Sequence, residues 1–181
     1  MSTPVLVLVG LRCVGKTTLG SALANRLGWE FLDLDAELAR RTGFSSAGAL
    51  LAQVGLEEFR DQEQEVLLAV LKEDSVPRIL ATGGGVVERE ENRVQLRSLP
   101  CVWLDTPVDI LVARAEQDSV LRPSLTDHGT VQEFEQLHKR RAPWYEQVAG
   151  PAVELGGLEP DGALDLLWAR VRERFEHFGG Q

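Results

Sequence analysis

The stretch Val5-Leu-Val-Leu-Val9 runs without a gap into Gly10-Leu-Arg-Cys-Val-Gly-Lys-Thr17, and this junction decides the fold. Five apolar residues leading into a G-x-x-x-x-G-K-T loop describe a buried parallel strand that opens into a phosphate-binding loop and a helix. Backbone N–H groups of such a loop close around phosphates. Lys16 is placed to reach the outer phosphates, and the Thr17 hydroxyl is placed to hold Mg²⁺. The helix that follows adds the positive end of its dipole.

Outward from this point, strand-like and helix-like segments alternate. Leu19, Ala22, Leu23 and Leu27 recur at helical spacing and stop at Gly28. Phe31-Leu-Asp-Leu-Asp35 reads as a second strand, and residues 56–74 read as a long helix with Phe59, Val66, Leu67, Val70 and Leu71 on one face. Arg78–Ala81 and Cys101–Leu104 are two further apolar runs. Thr106 or Asp105 is expected to cap the next helix, with Pro107 in its first turn. Val153 lies near a last short strand, and Leu164, Leu167, Trp168, Val171 and Phe175 mark a final amphipathic helix. Such alternation implies a parallel sheet covered on both faces. Nothing resembles a linker or a repeat, so residues 1–181 are expected to form a single domain.

The bulk composition narrows the class. The chain has 181 residues, 44% of them apolar, which is enough for a full core. A formal net charge of −9 is wrong for a nucleic-acid binder. No apolar run approaches the length of a membrane span, and no signal peptide is evident, so a cytoplasmic location is expected. Cys13 and Cys101 read as free thiols of a reducing compartment. The three histidines, His128, His138 and His177, are scattered and make no metal cluster.

Several residues stand out as candidates for chemistry. Asp33 and Asp35 fall at the C-terminal end of the second strand, where open α/β sheets bind ligands, and alternation puts them on the same side. In phosphate-transferring enzymes one such acid helps hold the metal and a second orients the acceptor hydroxyl. Asp105 is better explained as a helix-start residue. Arg60 has Glu63 three residues on, spaced to pair with it. Arg141 lies on the stripe Val131, Phe134, Leu137, Tyr145, Val148, and an inward guanidinium there needs an anionic partner. That partner is either a bound carboxylate or phosphate, or an internal glutamate. Arg140 should point elsewhere. Gly83-Gly84-Gly85 after a strand allows close backbone approach to a ligand. Residues 116–130 form a polar segment, too long for a plain connection, in the manner of a lid.

In this order, the elements resemble the shikimate kinase family along nearly the whole chain. The carrying residues are the loop 10–18, Phe31-Leu-Asp-Leu-Asp35, Glu58-Phe-Arg60, Ala81-Thr-Gly-Gly-Gly85, Leu121-Arg-Pro123 and Arg140-Arg-Ala-Pro-Trp-Tyr145. The resemblance implies a three-layer P-loop kinase fold with five parallel strands in the order 2-3-1-4-5, flanked by helices. It implies transfer of the ATP γ-phosphate to the 3-hydroxyl of shikimate, with Mg²⁺ as cofactor and ATP as co-substrate. Arg12, Cys13, Val14, Gly15, Lys16, Thr17, Thr18, Arg114 and Arg122 are then implied at the nucleotide, and Thr17 and Asp33 at the metal, Asp33 through water. Asp35 is implied as base and substrate ligand. Arg60 and Arg141 would grip the shikimate carboxylate, and Gly83, Gly84 and Gly85 would touch its ring. Lys16, Asp35 and Arg122 would carry the chemistry. Residues 36–63 are implied as the substrate-binding subdomain and 116–128 as the lid, in a protein acting as a monomer on small molecules.

The chain departs from the family pattern at Cys13, where glycine is common, and a left-handed backbone there would be strained. Leu56 stands where an acidic residue is usual. Two rival readings remain: a gluconate or nucleoside-monophosphate kinase of the same fold, and a shikimate-kinase-like sensing module without turnover. The Arg60 and Arg141 pair favours a small carboxylate, and retention of Asp33 and Asp35 favours catalysis.

Overall fold

The computed structural model describes residues 4–73, 76–118 and 130–178. Five strands, β1 (Val5–Val9), β2 (Glu30–Asp33), β3 (Arg78–Ala81), β4 (Cys101–Asp105) and β5 (Val153–Glu154), form one sheet in the order β2-β3-β1-β4-β5. Every neighbouring pair is parallel. Among the described residues, eight helices connect and cover it: α1 (Lys16–Leu27), α2 (Leu34–Thr42), α3 (Ala47–Val54), α4 (Leu56–Lys72), α5 (Glu90–Arg97), α6 (Val108–Asp118), α7 (Thr130–Ala149) and α8 (Pro160–Phe178). This is the expected strand order. Leu6 to Val9 and all four residues of β3 are buried, as an all-parallel sheet between helical layers requires.

Register brings the ends of the strands level. Asp33 pairs with Ala81, Ala81 with Leu8, and Leu8 with Val102. The loops leaving β1, β2 and β3 therefore start side by side at the carboxyl edge, where such sheets bind ligands. The Thr82 hydroxyl and N–H both donate to the Leu8 carbonyl, at 3.0 and 3.2 Å, and extend that alignment one residue beyond β3. On one face α1 lies close to the sheet at Gly20, where a Cβ would stand 2.7 Å from the Phe31 ring and 3.1 Å from Leu8. Gly28 ends α1 in the left-handed conformation, with its N–H bonded back to the last turn.

The structure corrects several expected boundaries. Strand β2 ends at Asp33, and Asp35 lies in the first turn of α2 rather than on the strand. The physical reason is capping. Asp33 Oδ1 accepts from the Asp35 and Ala36 N–H groups at 3.0 and 3.3 Å, which starts the helix immediately. Pro107 sits just before α6, its carbonyl accepting from Ile110 and Leu111, rather than in the first turn. Val131 is 51% exposed and does not belong to the inward stripe of α7, which begins at Phe134. Apolar periodicity marks no element over residues 86–99, yet a short 3-10 turn (Val86–Glu88) and α5 form there. The proposed lid residues 119–128, with Arg122 and Leu121-Arg-Pro123, lie outside the described residues, and residues 116–118 are the end of α6.

Between β2 and β3 the chain folds into α2, α3 and α4, which pack on one another. Ser46 caps α3 by accepting from Ala49 N–H at 3.1 Å. Glu37 anchors α2, receiving two bonds from Arg40 (2.8 and 2.7 Å) and one from Arg41 (2.6 Å). The hydrogen bond from Arg40, with Arg41 behind it, holds the Glu37 carboxyl down from 4.5 to about 2. A carboxyl lowered on folding stabilises fully above its unfolded value and loses that contribution as pH falls toward its folded one. Urea unfolding measured between pH 4.5 and 2 should therefore show a shallower loss of stability in Glu37→Gln than in the parent chain.

Candidate active site

The phosphate loop is shaped by its backbone before any side chain acts. Gly10 has φ +143°, and a Cβ there would stand 2.3 Å from the Leu104 carbonyl oxygen, so the loop can pass β4 only as glycine. Gly15 has φ +103° and sits immediately before α1. Cys13 has φ +64°, the only non-glycine residue in the left-handed region among the described residues, so the strain expected there is present. Lys16, largely buried, donates from Nζ to the carbonyls of Gly10 (2.9 Å) and Leu11 (2.7 Å). Arg114 of α6 donates to the carbonyls of Cys13 (3.2 Å) and Val14 (3.5 Å), bracing the loop from the side.

Thr17 and Thr18 are exposed at the start of α1. The Thr17 hydroxyl donates to Asp33 Oδ2 at 2.7 Å, so the two residues expected at a metal are in contact. Arg12 goes elsewhere. Its guanidinium pairs with Glu133 of α7 at 2.9 Å and lies over the Phe134 ring at 4.7 Å, which leaves its backbone N–H for the loop.

A second cluster adjoins the loop. None of Gly83, Gly84 and Gly85 has a positive φ, so the triple glycine answers to space rather than to backbone conformation. A Cβ at Gly83 would stand 2.7 Å from Glu63 Oε1 and 2.8 Å from Asp35 Oδ1. One at Gly84 would stand 3.2 Å from the Arg12 backbone nitrogen and 3.5 Å from Arg141 Nη1. One at Gly85 would fall 1.8 Å from Arg60 Nη2. The turn is thus the floor on which Asp35, Glu63, Arg60 and Arg141 rest, and its middle residue touches the phosphate loop.

Arg60 donates to Glu63 Oε2 at 2.7 Å, as the three-residue spacing predicts, and approaches Glu88 Oε2 at 3.3 Å. Arg141 meets Glu88 Oε1 through Nη2 at 2.8 Å and Nε at 2.9 Å. Arg140, expected to point away, also reaches Glu88 Oε1 from the exposed side. Tyr145, fully buried, donates its hydroxyl to the Gly84 carbonyl. Asp105, the last residue of β4, accepts from Thr106 N–H at 2.9 Å, and its other oxygen meets His138 Nε2 at 2.8 Å. The first bond lies outside α6, which begins at Val108, so it is not the cap expected from Asp105 or Thr106.

A family model described as shikimate kinase matches residues 12–165. The chain belongs to the shikimate kinase family. A shikimate kinase from Nitratidesulfovibrio vulgaris is 41% identical over 149 residues, covering 81% of this chain and 83% of its own. Shikimate kinase 2 of Syntrophotalea carbinolica is 38% identical over 172 residues, covering 91% and 97%. The structure of the Acinetobacter baumannii shikimate kinase in complex with shikimate superposes with a TM-score of 0.83 at 34% identity, over 94% of each chain. Members of this family are ATP-dependent kinases, and the P-loop and the sheet order described above are those of their fold.

The electrostatics of the cluster follow from its burial. Burial opposes the Arg60 charge, but Glu63 and Glu88 outweigh it and hold its pKa above the ordinary value. Burial likewise opposes the Glu88 charge, and Arg141 and Arg60 overcome it, keeping that carboxyl below the usual range. Glu63 is deeper, and burial pushes its carboxyl up against the pull of Arg60. Burial also pushes the Tyr145 hydroxyl up. Glu88, Glu133 and Tyr145 carry structural parts that sequence reasoning did not assign. Only Tyr145 left a signal, as a polar-tipped residue on an inward stripe.

Two alanine substitutions separate a backbone constraint from a side-chain one. Gly10→Ala meets a fixed carbonyl and has a forbidden φ, so it should cost about 2 kcal/mol or more in urea unfolding. Gly85→Ala meets only the tip of Arg60, so the fold should persist with a smaller loss while Arg60 is driven off Glu63 and Glu88.

Proposed function

We infer that this chain catalyses transfer of the ATP γ-phosphate to the 3-hydroxyl of shikimate. One observation carries the reading. Gly84 packs against the Arg12 nitrogen and the Gly10 carbonyl, so the phosphate loop and the arginine-bearing cluster share a wall. A phosphate donor in one and a carboxylate-bearing acceptor in the other would meet at that wall. The chain's likeness to a shikimate kinase solved with shikimate bound supports the same assignment.

Phosphoryl transfer depends on positioning and on neutralising the charge of the moving group. In this reading Lys16 leaves the Gly10 and Leu11 carbonyls for the outer phosphates, while the N–H groups of residues 12–18 hold the rest. Arg114 keeps the loop in shape beside them. Thr17 offers an exposed hydroxyl, a hard oxygen donor that suits Mg²⁺, and Asp33, in contact with it, offers a carboxylate that would act on the metal through water. When bound there, the metal would supply charge neutralisation at the β- and γ-phosphates. Asp35, beside Gly83, is the base that accepts the acceptor's hydroxyl proton. Arg60 and Arg141 grip the acceptor carboxylate, and Gly83 to Gly85 face its ring. Residues 36–63 form the acceptor-binding subdomain. Residues 116–128, including Arg122, close over ATP and exclude water. The protein works as a monomer in the cytoplasm. Among the described residues, no helix is long and apolar enough to cross a membrane.

ADP release with ATP, Mg²⁺ and shikimate, compared with gluconate and AMP as acceptors, tests the assignment. Release with shikimate alone is expected, and release only with another acceptor would refute it. Asp35→Asn should lose turnover and keep ATP binding, and near-parental turnover would remove it as the base. Arg141→Lys should raise the shikimate KM about tenfold or more, because a point charge cannot replace the planar fork.

A further inference from the structure

The pair of guanidinium groups read as the acceptor grip already holds a carboxylate. Glu88 ends the 3-10 turn behind the glycines, and its side chain lies between Arg60 and Arg141. Oε2 faces Arg60, and Oε1 receives both Nε and Nη2 of Arg141. Arg141 is 5% exposed and Arg60 9%, so each needs a counter-ion wherever one can be found. Glu63 serves Arg60 through its other terminal nitrogen, and Glu88 is the carboxylate shared by both.

We propose that Glu88 is a resident counter-ion that sets an affinity threshold for the acceptor site, lowering the apparent affinity of every anion for the guanidinium pair so that a simple anion falls below it while a ligand that brings further contacts displaces the glutamate. This rests on the reading of Arg60 and Arg141 as the acceptor-carboxylate grip. Two buried guanidinium groups without an internal partner would bind any small oxyanion, phosphate included. With Glu88 seated between them, an inorganic anion recovers only what the glutamate already supplied. An acceptor whose hydroxyls also meet Asp35 and the glycine turn gains beyond that exchange.

Glu88 is built to move. Its side chain is 17% exposed, against 1% for Glu63, and Arg140 holds the same Oε1 from a position 56% exposed. A carboxylate leaving the grip therefore has a cationic partner on the solvent side. It is also fully ionised at neutral pH, because the arginines hold its carboxyl low. Glu63 has neither the exposure nor a third arginine, so it remains the fixed partner while Glu88 is the exchangeable one.

The test uses the full chain, parent and Glu88→Gln, with steady-state kinetics at saturating ATP. In the variant the shikimate KM should fall about fivefold or more, the reciprocal of removing an internal competitor. Inorganic phosphate, weak against shikimate in the parent, should become a competitive inhibitor about fivefold stronger or more. The ATP KM should stay unchanged. Should Glu88→Gln fail to fold, Glu88→Asp keeps the charge but is one methylene too short to span both arginines, and it should move both constants in the same directions. A shikimate KM that rises, or phosphate inhibition that stays at the parental level, makes Glu88 a structural brace and overturns the proposal. A parent chain that phosphorylates no shikimate refutes the activity beneath it, whereas an active parent with either of those variant results refutes the role of Glu88 alone.

Discussion

Everything at the carboxyl edge of this sheet depends on how closely the turn after β3 approaches the loop after β1. Strand register sets the two turns level, and the Thr82 bonds to the Leu8 carbonyl keep them so. What permits the contact is the missing side chain at Gly84, against the backbone of residues 10 and 12. Gly10 plays the same part on the other flank, against the Leu104 carbonyl. A side chain at Gly10 would overlap the Leu104 carbonyl outright, and one at Gly84 would open a gap of a few tenths of an ångström between the two turns. Phosphoryl transfer does not tolerate such a gap, since its rate comes largely from alignment of donor and acceptor.

The close approach has an electrostatic consequence. Polar side chains that would reach solvent in a looser site are pressed together under the turn, so Arg60, Arg141, Glu63 and Glu88 become one buried network. Burying such charges is costly in itself, and removing one member costs more because its partner is left unpaired. The network is therefore poor evidence of stability for its own sake. Its value is orientation. Arg60 is held by two internal carboxylates, Glu63 and Glu88, and Arg141 by Glu88, which limits the directions their remaining N–H groups can face.

Much of the architecture is legible in the residues. Leu6–Val9 and Ile79–Ala81 are buried, so they appear as unbroken apolar runs, and the glycine-lysine-threonine spacing of the loop needs no tertiary context. Strand β2 is at the sheet edge and only partly buried, so its end at Asp33 was set by capping rather than by hydrophobicity. Helix α5 is invisible to apolar periodicity because of its eight residues only Asn92, Arg93 and Leu96 are buried. The first two of these bond to the carbonyls of the preceding turn. Arg141 could be recognised as an inward cation needing a partner, and its glutamate was one of the two partners the residues allowed. That the glutamate is Glu88, shared with Arg60 and Arg140, depends on three elements meeting in space. No spacing along the chain records that.

The two halves of the site solve one physical problem in the same way. A cation placed to receive an anionic substrate must be partnered before the substrate arrives, or its burial would unfold the site. Lys16 is partnered by the Gly10 and Leu11 carbonyls, neutral acceptors that it can leave at modest cost. Arg60 and Arg141 are partnered by full charges, Glu63 and Glu88. The difference suits the ligands. A triphosphate carries several negative charges and is held by many N–H groups, so it outbids two carbonyls easily. A single carboxylate brings one charge, and against an internal carboxylate it succeeds only with the help of the rest of its molecule. The nucleotide half is thus set for affinity, and the acceptor half carries a threshold that only a ligand with contacts beyond its carboxylate clears.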